Sequence, residues 1–485
     1  MSGFFGVASK EECWEDLFYG TDYHSHLGTR RGGLVTFGNE GFRRHIHDIS
    51  NAQFRSKFSN TIREMKGHSG IGIISDYEDQ PLIIGSHLGT YAIVTVGVIN
   101  NMEELTALAY RNRRAHFSNM DDGVVNPTEL VAALINLGAS FAEGIRLAQE
   151  AIDGSCSLLL LTEEGIYAAR DAYGRTPIVL GQKEEAFAAA FESCALPNTG
   201  YLPLRDMGPG EIVRLTAEGA QTVRPADGDE RACLFLWIYY GFPASAYNGV
   251  NVEESRYRSG RLLAQKDTAK ADMVMGVPDS GVGHALGYAN ASGIPYGRPL
   301  VKYTPTWARS FMPPDQSARE KVARMKLLPI PQIIGGKRIV FLDDSIVRGT
   351  QLRDMGAMLF RYGAKELHAR IACPPLLFGC RFLNFSRSTS VMELVARRMM
   401  KELSGNKDDA TACRFANPDS SEYAAMVQRI GAWLRLTSLQ YQQLGDMVAA
   451  VGLPKHRLCT YCWDGTEGGS ACGGCCTPTT ATPMA

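Results

Sequence analysis

The chain has no excess of either charge. It sets 50 Lys and Arg against 51 Asp and Glu, a net charge of −1 at pH 7. That balance argues against a surface built to capture nucleic acid, and no acidic tail is present. Long apolar runs are also missing. The longest, LLLL (158–161) and YAIVTVGVI (91–99), fall well short of a bilayer span. The opening MSGFFGVASKEE lacks a positive leader region and soon turns acidic, so no secretory signal is expected. Internal repeats are absent. What is present is 485 residues with 45% hydrophobic and 21% charged content, the profile of a globular protein of several domains. Twelve cysteines without an export signal predict a reducing, cytoplasmic setting. Thiols or metal ligands are expected there rather than disulfides.

Two halves differ in pattern. Short β-branched or aromatic runs with glycine punctuation at 3–9, 32–38, 70–74 and 92–99 predict strands. Helical spacing follows at 127–138 and 141–152, then hairpins at 157–171 and 211–223. The polar, turn-forming RPADGDER (224–231) marks a boundary, giving a first domain over 1–230. Beyond it, strands at 271–276, 298–304, 337–344 and 366–373 alternate with helices at 282–293 and 350–364. Such alternation predicts a mainly parallel sheet, and a second domain over 231–390. Residues 391–470 read as a helical extension, with helices at 420–436 and 437–453. The tail, 471–485, is Gly, Thr, Cys and Pro-rich and is expected to be mobile.

KRIVFLDDSIVRGT (337–350) places two carboxylates at the carboxyl end of a buried strand. Ligands sit at that rim in parallel sheets. The turn 345–349 presents backbone N–H groups, and the helix from Thr350 aims its N-terminus at the same spot. Gly349 allows close approach of backbone to phosphate. An acidic turn with Asp344 or Ser345 as a helix cap is the plainer reading of a lone strand-Asp-Asp. Here strand, turn, glycine and helix agree on an anion site.

This stretch resembles the phosphoribosyl pyrophosphate motif of type I phosphoribosyltransferases, and most closely the amidophosphoribosyltransferase (glutamine phosphoribosylpyrophosphate amidotransferase) family. The likeness covers roughly residues 1–465 and is strongest at 276–297, 308–327 and 335–350. It implies an α/β protein: an Ntn-hydrolase-like αββα sandwich followed by a type I phosphoribosyltransferase domain with a helical C-terminal extension. It implies that Asp343 and Asp344 serve ribose hydroxyls and Mg²⁺, and that Ser345, Ile346, Val347, Arg348, Gly349 and Thr350 hold the 5′-phosphate. In VPDSG (277–281), Asp279 and Ser280 match the pyrophosphate side, with Ser280 approaching Mg²⁺, although such a turn alone is a weak signal. Lys302 also matches. Arg309 and Lys326 bracket a basic segment resembling a mobile hood over pyrophosphate. The implied reaction moves phosphoribosyl from phosphoribosyl pyrophosphate to ammonia, yielding 5-phosphoribosylamine for purine synthesis. A non-catalytic phosphoribosyl pyrophosphate sensor and a transferase with another amine acceptor are the alternatives. The resemblance further implies a homo-oligomer.

Cys459, Cys462, Cys472 and Cys475 have C-x2-C-x9-C-x2-C spacing, which by itself suggests zinc. The resemblance implies a different set, Cys233, Cys380, Cys459 and Cys462, around a [4Fe–4S] cluster with a structural role. Cys13, Cys156, Cys194, Cys373 and Cys413 read as buried apolar residues.

The first domain resembles a glutaminase whose chemistry is gone. Ser2 stands where the family's nucleophilic cysteine would be, and a serine hydroxyl needs a strong base to act. Ser75 takes the place of the carboxylate-binding arginine, Val96 that of the oxyanion asparagine, Pro127 that of the amine-binding aspartate, and Leu27 that of the loop arginine. The resemblance therefore implies loss of glutamine hydrolysis, with nitrogen from free ammonia or a separate glutaminase partner.

Overall fold

The computed structural model describes residues 2–111, 117, 120–121, 124–303, 327–384 and 390–466. Arg309, Lys326, Cys472, Cys475 and the 471–485 tail lie outside the described residues.

The N-terminal domain is a sandwich of two antiparallel sheets. The seven-stranded sheet runs in the order Leu202–Asp206, Val179–Lys183, Ala186–Ala190, Ser2–Ser9, Ser69–Ser75, Arg31–Gly38, Gly41–Asp48. The six-stranded sheet runs Ala220–Arg224, Ile212–Leu215, Gly165–Ala169, Gly154–Thr162, Gly89–Ile99, Leu82–Ser86. Strand alternation assigns the faces. Phe4 and Ala8 join Ile71, Val94 and Leu159 between the sheets. Phe5 and Val7 face the other way, against Leu17 and Phe18 of the Trp14–Asp22 helix. On the far face, Tyr91, Ile93 and Leu160 pack under the Pro127–Ile135 and Phe141–Ala151 helices. Burial on both faces explains why GFFGVA reads as a continuous apolar run rather than an alternating one. The result is the expected αββα layering.

The second domain is built on a four-stranded parallel sheet ordered Met273–Gly276, Arg338–Asp343, Glu366–Ile371, Ser438–Tyr441. Val274, Val340 and Leu342 bury one face under the helices Val252–Gln265 and Val282–Ser292. Ile339, Phe341 and Leu367 bury the other against Leu352, Met355 and Leu359 of Thr350–Arg361. Gly260 lets the first two helices meet, since a Cβ there would stand 1.9 Å from the His284 carbonyl oxygen.

The last strand departs from the sequence reading, which placed a helix from Thr437. Ser438–Tyr441 instead extends the parallel sheet, pairing His368–Ile371. The helix begins only at Leu444. The backbone gains a full ladder partner on the edge strand there, which outweighs the helical spacing of the apolar residues. The C-terminal extension thus completes the sheet rather than merely following it.

Candidate active site

The Arg338–Asp343 strand is buried through Leu342 and delivers Asp343 and Asp344 to the sheet rim. The neighbouring Met273–Gly276 strand ends beside it, and the Val277 N–H donates to the Leu342 carbonyl at 2.8 Å. This register brings Ser280 to Asp343: the Ser280 hydroxyl donates to Asp343 Oδ1 at 2.9 Å. Gly281 has no room for a side chain, because a Cβ would lie 2.0 Å from the Leu342 carbonyl oxygen. At the rim, Lys302 Nζ donates to Asp279 Oδ2 at 2.7 Å. The structure therefore unites Asp279, Ser280, Lys302, Asp343 and Asp344 from three separate segments.

The two carboxylates are crowded. Asp343 Oδ1 also accepts the Asp344 N–H at 3.0 Å, and Asp344 Oδ2 accepts the Ser345 hydroxyl at 2.6 Å. Burial, then the charge of Asp344, pushes the Asp343 carboxyl well above the ordinary carboxylate range. Burial raises Asp344 as well, against the pull of its hydrogen bonds and of the nearby Arg256 cation. Adjacent buried acids without a bound cation behave this way.

Among the described residues, none of the backbone N–H groups from Ser345 to Thr350 donates to a protein acceptor. The row ends at the first residues of the 350–361 helix, so unpaired donors and helix dipole point together. Gly349 caps that helix with φ 76°, and a Cβ there would meet Trp433 Cζ3 at 2.7 Å. Both facts require glycine. The side chain of Ile346 is buried, that of Val347 is half-buried, and both serve to anchor the loop.

Sequence reasoning missed what holds this loop from outside. Arg398 donates to the Arg348 carbonyl at 2.7 Å, and the Val395 N–H donates to the Val347 carbonyl at 2.8 Å. Arg348 pairs with Glu393. The Trp433 ring is flanked by the guanidinium carbons of Arg353 and Arg398, each 4.9 Å from its centroid. The C-terminal helices are the outer wall of the anion loop. Arg256 was missed too. It is buried and donates to the carbonyls of Trp237, Tyr239 and Gly241 at 3.1, 2.7 and 2.9 Å.

The four cysteines singled out by resemblance line one cavity, with Arg175 and Trp463. Cys233 and Cys459 are register partners in a short parallel pairing. The Leu383 N–H donates to Cys380 Sγ at 3.3 Å. A hydrogen bond from Cys462 holds the Cys380 thiol below its usual range, and burial pushes Cys459 up to about 11. The remaining expected apolar cysteines, Cys13, Cys156, Cys194, Cys373 and Cys413, are all buried. Among the described residues, no three His, Cys, Asp or Glu side chains stand where they could hold a single metal ion.

In the N-terminal domain, Ser2 lies opposite Ser75, and their hydroxyls are hydrogen-bonded at 3.1 Å. Leu27 and Val96 are buried apolar residues. Pro127 is the first residue of its helix, capped by Asn126 accepting from Thr128 N and Glu129 N. Beside Val96, a carboxamide of the chain itself is locked in place: Gln80 Oε1 accepts the Thr95 N–H at 2.7 Å, and Gln80 Nε2 donates to Glu78 at 2.9 Å. Thr128 closes the group, hydrogen-bonded to Glu78 at 3.1 Å and to Thr95 at 2.6 Å. Burial raises the Glu78 carboxyl.

Comparison with known proteins agrees with this geometry. The glutamine amidotransferase domain family matches residues 68–198. The amidophosphoribosyltransferase of Mycobacterium tuberculosis is 32% identical over 489 residues, covering 96% of this chain and 85% of the relative. That of Synechocystis is 34% identical over 415 residues, 83% of each chain. Among solved structures, the Bacillus subtilis glutamine phosphoribosylpyrophosphate amidotransferase complexed with ADP and GMP superposes with a TM-score of 0.82 at 28% identity, covering 96% of both chains. A second, described as the allosteric regulatory enzyme of purine biosynthesis, has the same TM-score and identity and covers 98% of this chain and 97% of its own. Sequence, fold and rim geometry converge: the chain belongs to the amidophosphoribosyltransferase family.

Proposed function

We propose that the protein transfers the phosphoribosyl group of phosphoribosyl pyrophosphate to ammonia, making 5-phosphoribosylamine at the entry to purine synthesis. One observation carries this reading. A hydrogen-bonded Ser280–Asp343–Asp344 group, its last member buried, stands at the parallel-sheet rim beside an unpaired row of N–H donors that ends in a helix N-terminus. The row receives the 5′-phosphate. Asp343 and Asp344 accept from the ribose hydroxyls. Lys302, with Asp279, sits on the pyrophosphate side. Arg309 and Lys326, outside the described residues, are proposed as the hood cations.

Two adjacent carboxylates at the sheet rim, with the Ser280 hydroxyl on Asp343, are a hard oxygen set that fits Mg²⁺, with Ser280, Asp343 and Asp344 as its nearest groups. When bound, Mg²⁺ neutralises the pyrophosphate leaving group. The nitrogen lone pair forms the bond to the anomeric carbon as the bond to pyrophosphate breaks, and a proton then leaves the new ammonium. The chain's part is to fix the ribose between phosphate loop and carboxylates and to stabilise the charge that develops.

Cys233, Cys380, Cys459 and Cys462 are proposed to hold a [4Fe–4S] cluster. Four thiols lining one cavity are a donor set that suits such a cluster. Its contribution when bound is structural, joining segments distant in the chain. The described cysteines are all free thiols, which suits a cytoplasmic protein. A homo-oligomer is proposed from the family likeness.

The glutaminase site is proposed to be lost. Ser2 is tied to Ser75, and the Gln80 carboxamide is bonded within the chain beside Val96, a side chain that cannot donate to an oxyanion. Nitrogen then comes from free ammonia or a partner glutaminase.

The test is pyrophosphate release from phosphoribosyl pyrophosphate and Mg²⁺. Release with ammonia and none with glutamine supports the proposal. Tight binding without turnover in either case turns the reading to a sensor. Release only with another amine turns it to a different transferase.

A further inference from the structure

Arg175 belongs to the N-terminal part of the chain but ends in the cysteine cavity, where, among the described residues, it is the one Lys or Arg in the lining. Its backbone and side chain are pinned. The Arg175 carbonyl accepts the Cys233 N–H at 3.1 Å, and its Nη1 donates to the Gly154 carbonyl at 3.1 Å. Its guanidinium carbon lies 3.7 Å from the centroid of the Phe382 ring and 4.6 Å from that of Tyr173. Arg175 is 6% exposed, and its Nε is buried with no acceptor. A buried guanidinium N–H left unpaired is costly, so such an atom marks an acceptor that the polypeptide does not supply. The Arg175 side chain lines the same cavity as Cys459 and Cys380.

We infer that Arg175 is a positioning residue for the cluster: its guanidinium donates N–H to sulfur at the Cys459 side and holds a fixed positive charge there. This rests on the cluster reading given above. The aromatic rings on either side fix the guanidinium plane, so the N–H direction is set before the cluster is inserted. Hydrogen bonds and positive charge at cluster sulfur favour the reduced form and slow ligand loss. The backbone carbonyl of the same residue holds the Cys233 N–H, so Arg175 links its own strand region to a proposed cluster ligand by main chain as well as by side chain.

The experiment uses full-length protein reconstituted with iron and sulfide under anaerobic conditions. Arg175→Met is expected to give a more negative midpoint potential and about 10-fold faster iron loss to a chelator, with Arg175→Lys between it and wild type. In wild-type protein grown on isotopically labelled arginine, the reduced cluster is expected to show magnetic coupling to arginine nitrogen, and this readout holds even where Arg175→Met does not fold. Unchanged potential and loss rate in the folded variants, or no arginine coupling, overturns the assignment while leaving the cluster in place. Zinc, or no bound iron, in the wild-type protein overturns the cluster reading and this inference with it.

Discussion

The Ser280 hydroxyl donates to Asp343 across 2.9 Å, joining the ends of two adjacent parallel strands. The bond sets the spacing between the pyrophosphate side and the ribose side of the proposed pocket. Asp343→Asn keeps the volume and removes the charge. It is expected to weaken phosphoribosyl pyrophosphate binding about 10- to 100-fold, because hydrogen bonds to charged groups contribute roughly 1.5–3 kcal/mol. Ser280→Ala should cost less, about fivefold. Substrate titrations of KM for the two variants check the ranking, and equal effects would contradict it.

Gly349 carries two constraints, a φ of 76° and the Trp433 ring at 2.7 Å from any Cβ. Gly349→Ala is expected to cost about 1–2 kcal/mol for the left-handed backbone alone. It should also displace the phosphate loop. Adding Trp433→Ala relieves the contact but not the backbone strain, so thermal stability and substrate affinity should recover only in part. Full recovery in the double variant would show that the ring alone matters.

Asp267 contributes one component of the acid dependence of stability. It accepts from Arg370 Nε at 2.5 Å and Nη2 at 2.8 Å, and from the Tyr288 hydroxyl at 2.5 Å. Burial works against the charged form, but these bonds prevail and lower the carboxyl from 3.8 to about 2. The folded value lies below the unfolded one. The contribution is therefore present above pH 4 and is lost as pH falls toward 2, with a size of roughly 2 kcal/mol. Unfolding titrations of wild type should lose stability through that window. Asp267→Asn should be less stable at neutral pH and lack this component of the acid slope. An unchanged slope in the variant would contradict the assignment.

Glutamate release reports on the first domain. Wild type and Ser2→Ala are expected to release glutamate from glutamine at the same background rate. Val96 supplies no oxyanion donor, and losing one such donor costs about 100-fold or more by itself. A robust rate that Ser2→Ala abolishes would restore the domain as a hydrolase.

Local chemistry that announces itself in sequence was legible here. The strand carrying Asp343, the turn to Gly349 and the helix from Thr350 could be read because apolar run, acids, glycine and helical spacing coincide within a few residues. The sandwich was legible in part: the strands near 3–9, 32–38, 70–74 and 92–99 and the two hairpins could be read, whereas Gly41–Asp48, Leu82–Ser86, Val179–Lys183, Ala186–Ala190 and Leu202–Asp206 could not. The strand Ser438–Tyr441 was not, since its threonine–serine start mimics a helix cap and its pairing partner lies far back in the chain. The Val252–Gln265 helix escaped for another reason: Arg256, Arg258 and Arg261 dilute its apolar stripe, while its packing relies on glycine. The outer wall of the phosphate loop, Arg398 and Trp433, depends on tertiary contact alone. The convergence of Cys233, Cys380, Cys459 and Cys462 came from family likeness, because spacing by itself pointed to Cys472 and Cys475.

The most direct measurement is a calorimetric titration of phosphoribosyl pyrophosphate with Mg²⁺ into wild type and into the Asp343→Asn, Asp344→Asn double variant. The account predicts saturable heat with one site per chain in wild type and none in the double variant. No heat with wild type, or the same heat with both proteins, would contradict it.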